Sequence, residues 1–406
     1  MKVQIPYDLE SDTMDAEIDE GSSVDVVEHN SLPSSPPQQA YLNALKKNND
    51  SIFKILNGKR SVAVMVDDHT RPTQPKFVLP ELLNLIETSG IKYVKIIVAP
   101  GSHNIPEESY FKEKIGGDIY SSYPIIFHNA YSKEDNVFIG ETSFGTPLFI
   151  NRWVVSADVK ISIGTIFPSS LAGFTGGGKM ILPGVAGEES IDKNHSLFSK
   201  PECRWGKIDG NPMREDIDEA SKIAGLDLII DAVMLPDKKI VSVNVGDPVI
   251  AFKGGAKISS KIYKRKLPKG NIVICGCGLT DDIDFVNCSK SVEIGDEVCE
   301  NNGVIILVAR CRLGVQWDEL LEALEFAKKG KSKNGEAFAN FFIRRYSSVF
   351  LERTKKVFWV TDKKNEGAAR SLGFFYFPDL QSALDEAVSV NGDRMVVLPR
   401  GSLLMP

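Results

Sequence analysis

Short apolar runs alternate with longer amphipathic ones along this chain. Residues 61–66 (SVAVMV), 93–99 (YVKIIVA) and 157–163 (ADVKISI) have the length and near-continuous hydrophobicity of buried strands. Residues 40–56 and 76–88 instead carry helical periodicity. A second series starts near 271: NIVICG at 271–276, a helical 292–301, VIILVA at 304–309 and a helical 319–329. It closes with VFWVT at 357–361, a helical 380–388 and MVVLP at 395–399. Strands this short, alternating with helices, predict an α/β protein with mainly parallel sheets flanked by helices.

Two series predict two domains, since 406 residues exceed the size at which one core stops growing. We expect an N-terminal α/β domain over 1–266 and a smaller, Rossmann-like domain over 267–406, whose last strand could return to the first. The lysine-rich stretch 261–269, with Pro268, is the linker candidate. Residues 9–39 are acidic, serine-rich and contain Pro33, Pro36 and Pro37. They are expected to be irregular and mobile, apart from short pieces at 14–18 and 24–27.

Composition narrows the class of partner. A formal net charge of −6 provides no field for nucleic acid or an anionic membrane. No uninterrupted apolar stretch reaches the roughly 18 residues of a membrane span, and the first residues do not read as a secretion signal. A cytoplasmic protein is expected. The six cysteines have no zinc or redox spacing and are expected to be buried thiols in a reducing compartment.

The densest chemical signal is Gly173-Phe174-Thr175-Gly176-Gly177-Gly178-Lys179, between Pro168 and Pro183. Such a loop is expected to bring backbone amides against an anionic ligand, with Lys179 directed at it. The spacing satisfies the nucleotide phosphate loop, yet Met180 stands where that motif needs a magnesium-binding Ser or Thr. A glycine turn closing a strand connection is the alternative. Two other loops follow strands, at the end where open α/β sheets bind ligands. Asp67-Asp68-His69-Thr70-Arg71-Pro72 offers carboxylate, hydroxyl and guanidinium groups, or simply a polar turn capped by Thr70. Pro100-Gly101-Ser102-His103 offers an imidazole suited to proton transfer, or a bystander histidine. Downstream lies Asn194-His195; a single histidine cannot make an all-protein metal site.

Together these stretches resemble the LarA-like, nickel-dependent lactate racemase family. The resemblance rests on Asp68-His69-Thr70-Arg71-Pro72, Gly101-Ser102-His103, Ala172 through Lys179 with Pro183-Gly184, and Asn194-His195. It extends to Phe127-His128-Asn129, Gly140-Glu141-Thr142 with Gly145-Thr146-Pro147, Asn211-Pro212 and Val245-Gly246-Asp247-Pro248, and so covers most of 60–310 in order.

What the resemblance implies is specific. It implies two α/β domains with the site in the cleft between them, and a nickel-pincer nucleotide joined covalently to Lys179, installed by cofactor-maturation enzymes. His195 would supply nickel's protein ligand, and Thr175, Gly176, Gly177, Gly178, Asp68 and Thr70 would line the cofactor. A 2-hydroxy acid would be racemised or epimerised by reversible hydride transfer, with His103 as a base and Arg71 and Lys290 near the substrate carboxylate. One departure stands out. The family's second catalytic histidine follows the proline matched by Pro168, and here that residue is Ser169. A serine hydroxyl is too weak an acid to replace it unaided, and losing a positioned acid/base costs roughly 10²–10⁴-fold. Asn287, where the family often has glutamine, also points to a remodelled pocket. Either His69 or a water relayed by Ser169 serves the second face, or a bulkier hydroxy acid fills the vacated space, or activity is lost; the expectation is an isomerase acting on a hydroxy acid other than simple lactate. The alternatives are a phosphate-loop nucleotide-binding protein and an inactive homologue that binds cofactor or hydroxy acid.

Overall fold

The computed structural model describes residues 1–105, 107–315 and 354–406. The chain divides into two compact units, one over Ser31–Ile262 and one joining Met1–Asn30 to Tyr263–Pro406. We call them the central and the terminal unit. Residues 1–30 thus group with the C-terminal stretch, and the change of unit at 262–263 falls within the lysine-rich stretch.

The central unit holds a six-stranded sheet in the order Ile240–Gly246, Leu228–Met234, Val159–Thr165, Ser61–Asp67, Tyr93–Ala99, Ile125–Phe127. All neighbours are parallel except the antiparallel pair formed by the first two strands. The middle strands read as unbroken apolar runs because both faces are covered: Val62 to Val66 and Ile161 to Thr165 are all buried. The chain builds outward from strand 61–67 through 93–99 to 125–127, then places 159–165 on the other flank of 61–67. That reversal, between 61–67 and 159–165, puts the loops after both strands side by side.

The terminal unit holds a second six-stranded sheet, wholly parallel, in the order Phe375–Phe377, Lys356–Val360, Cys299–Val308, Gly270–Gly276, Arg394–Leu398, Ser23–Val26. Helices Phe285–Val298 and Leu380–Asn391 pack on its central strands. An antiparallel hairpin, Lys2–Tyr7 with Asp12–Glu17, lies over the sheet. It contributes Val3, Ile5, Tyr7, Ala16 and Ile18 to the core with Ile272, Ile274, Val304, Ile306 and Val397.

The short pieces expected at 14–18 and 24–27 are strand Asp12–Glu17 and edge strand Ser23–Val26, where alternating apolar positions such as Met14, Ala16 and Ile18 find a sheet to cover. Two expectations change. The single helix expected over 40–56 is two, Pro37–Lys47 and Asn49–Leu56, broken at Asn48. The helix expected at 292–301 starts earlier, at Phe285, and ends at Val298, where strand Cys299–Val308 begins. Its start is set by Asp284, whose carboxylate accepts the Asn287 N–H. The helical segment expected at 319–329 lies outside the described residues. All six cysteines are buried and unbridged. Among the described residues, no helix is long and apolar enough to cross a membrane.

Candidate active site

Strands 61–67 and 93–99 are parallel neighbours, with Asp67 in register with Ala99, so the polar turn after one meets the histidine loop after the other. His103 Nδ1 lies 2.7 Å from Asp68 Oδ2. The other Asp68 oxygen accepts from the Thr70 amide at 3.1 Å and from its hydroxyl at 2.6 Å. Burial works to raise the Asp68 pKa, but His103, Arg71 and His69 outweigh it and hold the carboxyl well below the usual range. A permanent carboxylate on Nδ1 fixes the His103 ring with Nε2 as its working nitrogen, and the ring is 38% exposed. His69 is different. It is buried edge-on against Tyr110, and burial pushes its pKa down to about 4.

Lys114 braces the turn from beneath. Its ammonium donates to the carbonyls of Asp68 and Arg71 and pairs with Asp67 at 3.0 Å. Arg71 donates to the Thr70 carbonyl. Gly101, with φ of 61°, lets the histidine loop pass under Pro183, its amide donating to Gly184 O.

The glycine loop follows strand 159–165, and its glycines are closely packed. A Cβ at Gly173 would lie 2.0 Å from Lys207 O; one at Gly176 would lie 2.7 Å from Asp231 Oδ2, and one at Gly177 2.9 Å from Phe252. A Cβ at Gly178 would meet Ile217 O at 2.9 Å. The crowding comes from the protein's own atoms. The Gly177 N–H donates to Asp231 at 2.6 Å instead of being left for a phosphate. Arg214, fully buried over the Phe252 ring, donates to the carbonyls of Ala172, Phe174 and Gly176. The Thr175 hydroxyl donates to Thr165 O and accepts from the Phe167 amide. These contacts hold the loop from behind, and Lys179 is carried at its end. Ser169 sits on the two-residue strand Pro168–Ser169, paired with Gly173–Phe174, and its buried Oγ accepts from the Leu171 amide.

His195 rides on helix Glu188–Ser196 and is buried. Nδ1 donates to Ile191 O at 2.9 Å, leaving Nε2 as the lone-pair nitrogen. Burial first, then the nearby charges of Lys179 and His103, push its pKa down to about 3. The two charge effects bring Lys179 and His103 each within electrostatic reach of His195. The helix is tied down next door: Asn194 donates to Asp216 at 2.7 Å, and Asp216 also accepts from Thr142 and Thr146. Three motifs of the family-like set therefore meet on one buried carboxylate. His128 also serves structure, donating from Nε2 to Ala186 O and accepting at Nδ1 from Asn151.

Lys290 and Asn287 belong to the terminal unit. Lys290 Nζ pairs with Asp281 at 2.6 Å, and Asn287 donates to both Asp284 oxygens at 3.0 Å.

Sequence reasoning missed Asp231, Arg214, Asp216 and Lys114. Asp231 was legible, as the one carboxylate inside the buried run LIIDAVM over 228–234. Burial, with Asp67 adding to it, pushes its pKa up to about 7.

Known proteins resemble this chain over most of its length. The family model for the lactate racemase N-terminal domain matches residues 9–206. The lactate racemase of Thermoanaerobacterium thermosaccharolyticum is 30% identical over 365 residues, spanning 86% of this chain and 84% of that protein. The chain belongs to the lactate racemase family. A second member, the lactate racemase of Lactiplantibacillus plantarum, is 29% identical over 322 residues, covering 77% of this chain and 75% of that protein. The lactate racemase apoprotein from Thermoanaerobacterium thermosaccharolyticum superposes with a TM-score of 0.87 at 26% identity, over 100% of this chain and 99% of that one. A Thermotoga maritima protein shares the fold, with a TM-score of 0.70 at 18% identity over 92% of this chain and 99% of that one. As a member of the lactate racemase family, the chain is an isomerase of the racemase or epimerase type.

Proposed function

We propose that this isomerase inverts the carbinol carbon of a 2-hydroxy acid larger than lactate, using a nickel-pincer nucleotide carried on Lys179. The observation that carries the reading is His195: a neutral, buried imidazole with its Nδ1 proton committed to Ile191, beside the ammonium of Lys179. Those residues fit the group. Among the described residues, no cluster of three or more His, Cys, Asp or Glu is arranged to hold a metal ion. A metal on His195 Nε2 would thus draw its other donors from a bound molecule, as a pincer provides. Bound there, the group supplies a reversible hydride acceptor for the substrate's α-hydrogen.

The chain's own groups do the rest. His103 Nε2 takes the substrate hydroxyl proton, while Asp68 on Nδ1 stabilises the imidazolium that results. Arg71 holds the substrate carboxylate with its planar fork, and Lys290 is the second cation assigned to that carboxylate. Ser169 takes the place of an imidazole with a smaller group, which supports a substrate whose own substituent fills that volume.

Intact mass tests the reading directly. Protein made alongside the cofactor-maturation enzymes is expected to carry an adduct of nucleotide size that is lost in Lys179→Ala. A bare-chain mass in the fully matured wild type overturns the tether. For matured protein, inversion of configuration with the α-deuterium retained, read by chiral chromatography across a panel of α-deuterated hydroxy acids, identifies the substrate, and a panel left wholly unchanged favours an inactive homologue.

A further inference from the structure

The wholly parallel sheet of the terminal unit reverses its strand order between 270–276 and 394–398. Sheets of this kind bind their ligands outside the strand carboxyl ends at that reversal. Here the place is taken by the tip of the chain's own first hairpin. Asp8, Leu9 and Glu10 all have positive φ, 51°, 57° and 65°, a run that three non-glycine residues keep only when their surroundings hold them. The tip touches the loops after four of the six strands. Asp8 pairs with Arg310 at 2.6 Å, and Tyr7 donates to Asp362. The Leu9 amide donates to Asp282 Oδ1 at 2.9 Å. Glu10 accepts from the Leu279 amide at 2.7 Å and from two Arg400 nitrogens at 3.2 Å each.

The loop after strand 270–276, Gly276-Cys277-Gly278-Leu279, is where a bound phosphate would meet backbone amides. In this chain the Gly278 amide goes to Ser402 Oγ, the Leu279 amide goes to Glu10, and a Cβ at Gly276 would lie 2.2 Å from Pro399 O. A carboxylate, gripped by a guanidinium fork and an amide, stands in the anion position. Its consequence lies two residues on. Glu10 holds Leu279 and Leu9 holds Asp282, so the hairpin tip anchors the loop on both sides of Asp281, the partner of Lys290.

We propose that Glu10 is a positioning residue: an internal anion that locks the 278–282 loop and thereby sets the Asp281–Lys290 pair. Its bearing on turnover rests on the assignment of Lys290 to the substrate carboxylate, but its effect on the pair does not. The test is trace acetylation of the full-length protein with acetic anhydride, scored by peptide mass spectrometry against exposed Lys238. In Glu10→Ala, Lys290 labelling is expected to rise about fivefold or more as Asp281 leaves it, and added acetate is expected to restore protection by refilling the Arg400 fork. Glu10→Gln, which keeps an acceptor for the Leu279 amide, should fall between, and Glu28→Ala, at the rim of Arg400, should match wild type. In matured enzyme Glu10→Ala should raise KM about tenfold with kcat within about twofold. Unchanged Lys290 labelling in Glu10→Ala and Glu10→Gln overturns the proposal, as does protection that acetate fails to restore. Lys290→Ala with an unaltered KM would instead remove Lys290 from the substrate while leaving the labelling result standing.

Discussion

Two loops at the carboxyl edge of the central sheet reach their chemistry by opposite routes. The glycine loop is held from inside, its amide, carbonyls and glycine Cα positions all committed to Asp231, Arg214, Lys207 and Phe252. The histidine loop is tied at its base by the Gly101 amide to Gly184 O, while the His103 ring itself is held by the Asp68 carboxylate and left 38% exposed. The difference teaches that glycine density in a site loop can record crowding by the protein itself. Stiffness suits a lysine that must stay where it is; exposure suits an imidazole that must exchange protons.

The contrast can be broken at Arg214 first. Arg214→Met strands three buried carbonyls and an aspartate, and should cost roughly 4 kcal/mol, or about 10 °C in the melting of the central unit. A melt within about 2 °C of wild type would mean the loop stands without its clamp. Gly173→Ala comes next, at about 3 kcal/mol, since its Cβ would sit 2.0 Å from Lys207 O at a φ of 75°. That loss should appear in protein made without the maturation enzymes. Were Gly173→Ala as stable as wild type and defective only in acquiring an adduct, the glycine would serve a ligand after all.

Asp231→Asn sharpens the comparison through pH. The carboxyl titrates near 7 in the folded chain against an ordinary 3.8, so the folded state binds the extra proton between those values. Stability from this group is full below about pH 4 and declines as pH rises toward 7. Asparagine does not ionise. The stability of Asp231→Asn relative to wild type should therefore climb across that window, by on the order of 2–3 kcal/mol, in denaturant titrations at stepped pH. A flat difference would mean Asp231 is ionised throughout. The smallest stability change, about 1 kcal/mol, is expected for Asp68→Asn. Yet chiral chromatography of the product should show turnover in matured protein down roughly 10²-fold, because His103 loses its fixed tautomer.

How far the sequence reached follows the same division. Strands 61–67, 93–99 and 159–165 were legible because they are short, largely buried apolar runs, and the histidine and glycine loops because they follow such runs, whereas strands 125–127, 228–234 and 240–246 of the same sheet went unread. The meeting of Asp68 with His103 was not, since it depends on strands 61–67 and 93–99 being neighbours in register. Arg214 and Asp216 lay hidden among the polar positions of helix Pro212–Ala224, their partners arriving from loops distant in sequence. The first hairpin was obscured by its acidic outer face, while its inward residues, Val3, Ile5 and Ala16, alternate as a one-sided strand should.

A unit sewn from residues 1–30 and 263–406 also sets a timetable. Strand Ser23–Val26 pairs along one edge with Arg394–Leu398 alone, a segment made only after the whole central unit. The central unit, whose sheet is complete by Gly246, can therefore mature first, while strand Ser23–Val26 waits, unpaired and open to chaperones, for a partner made much later.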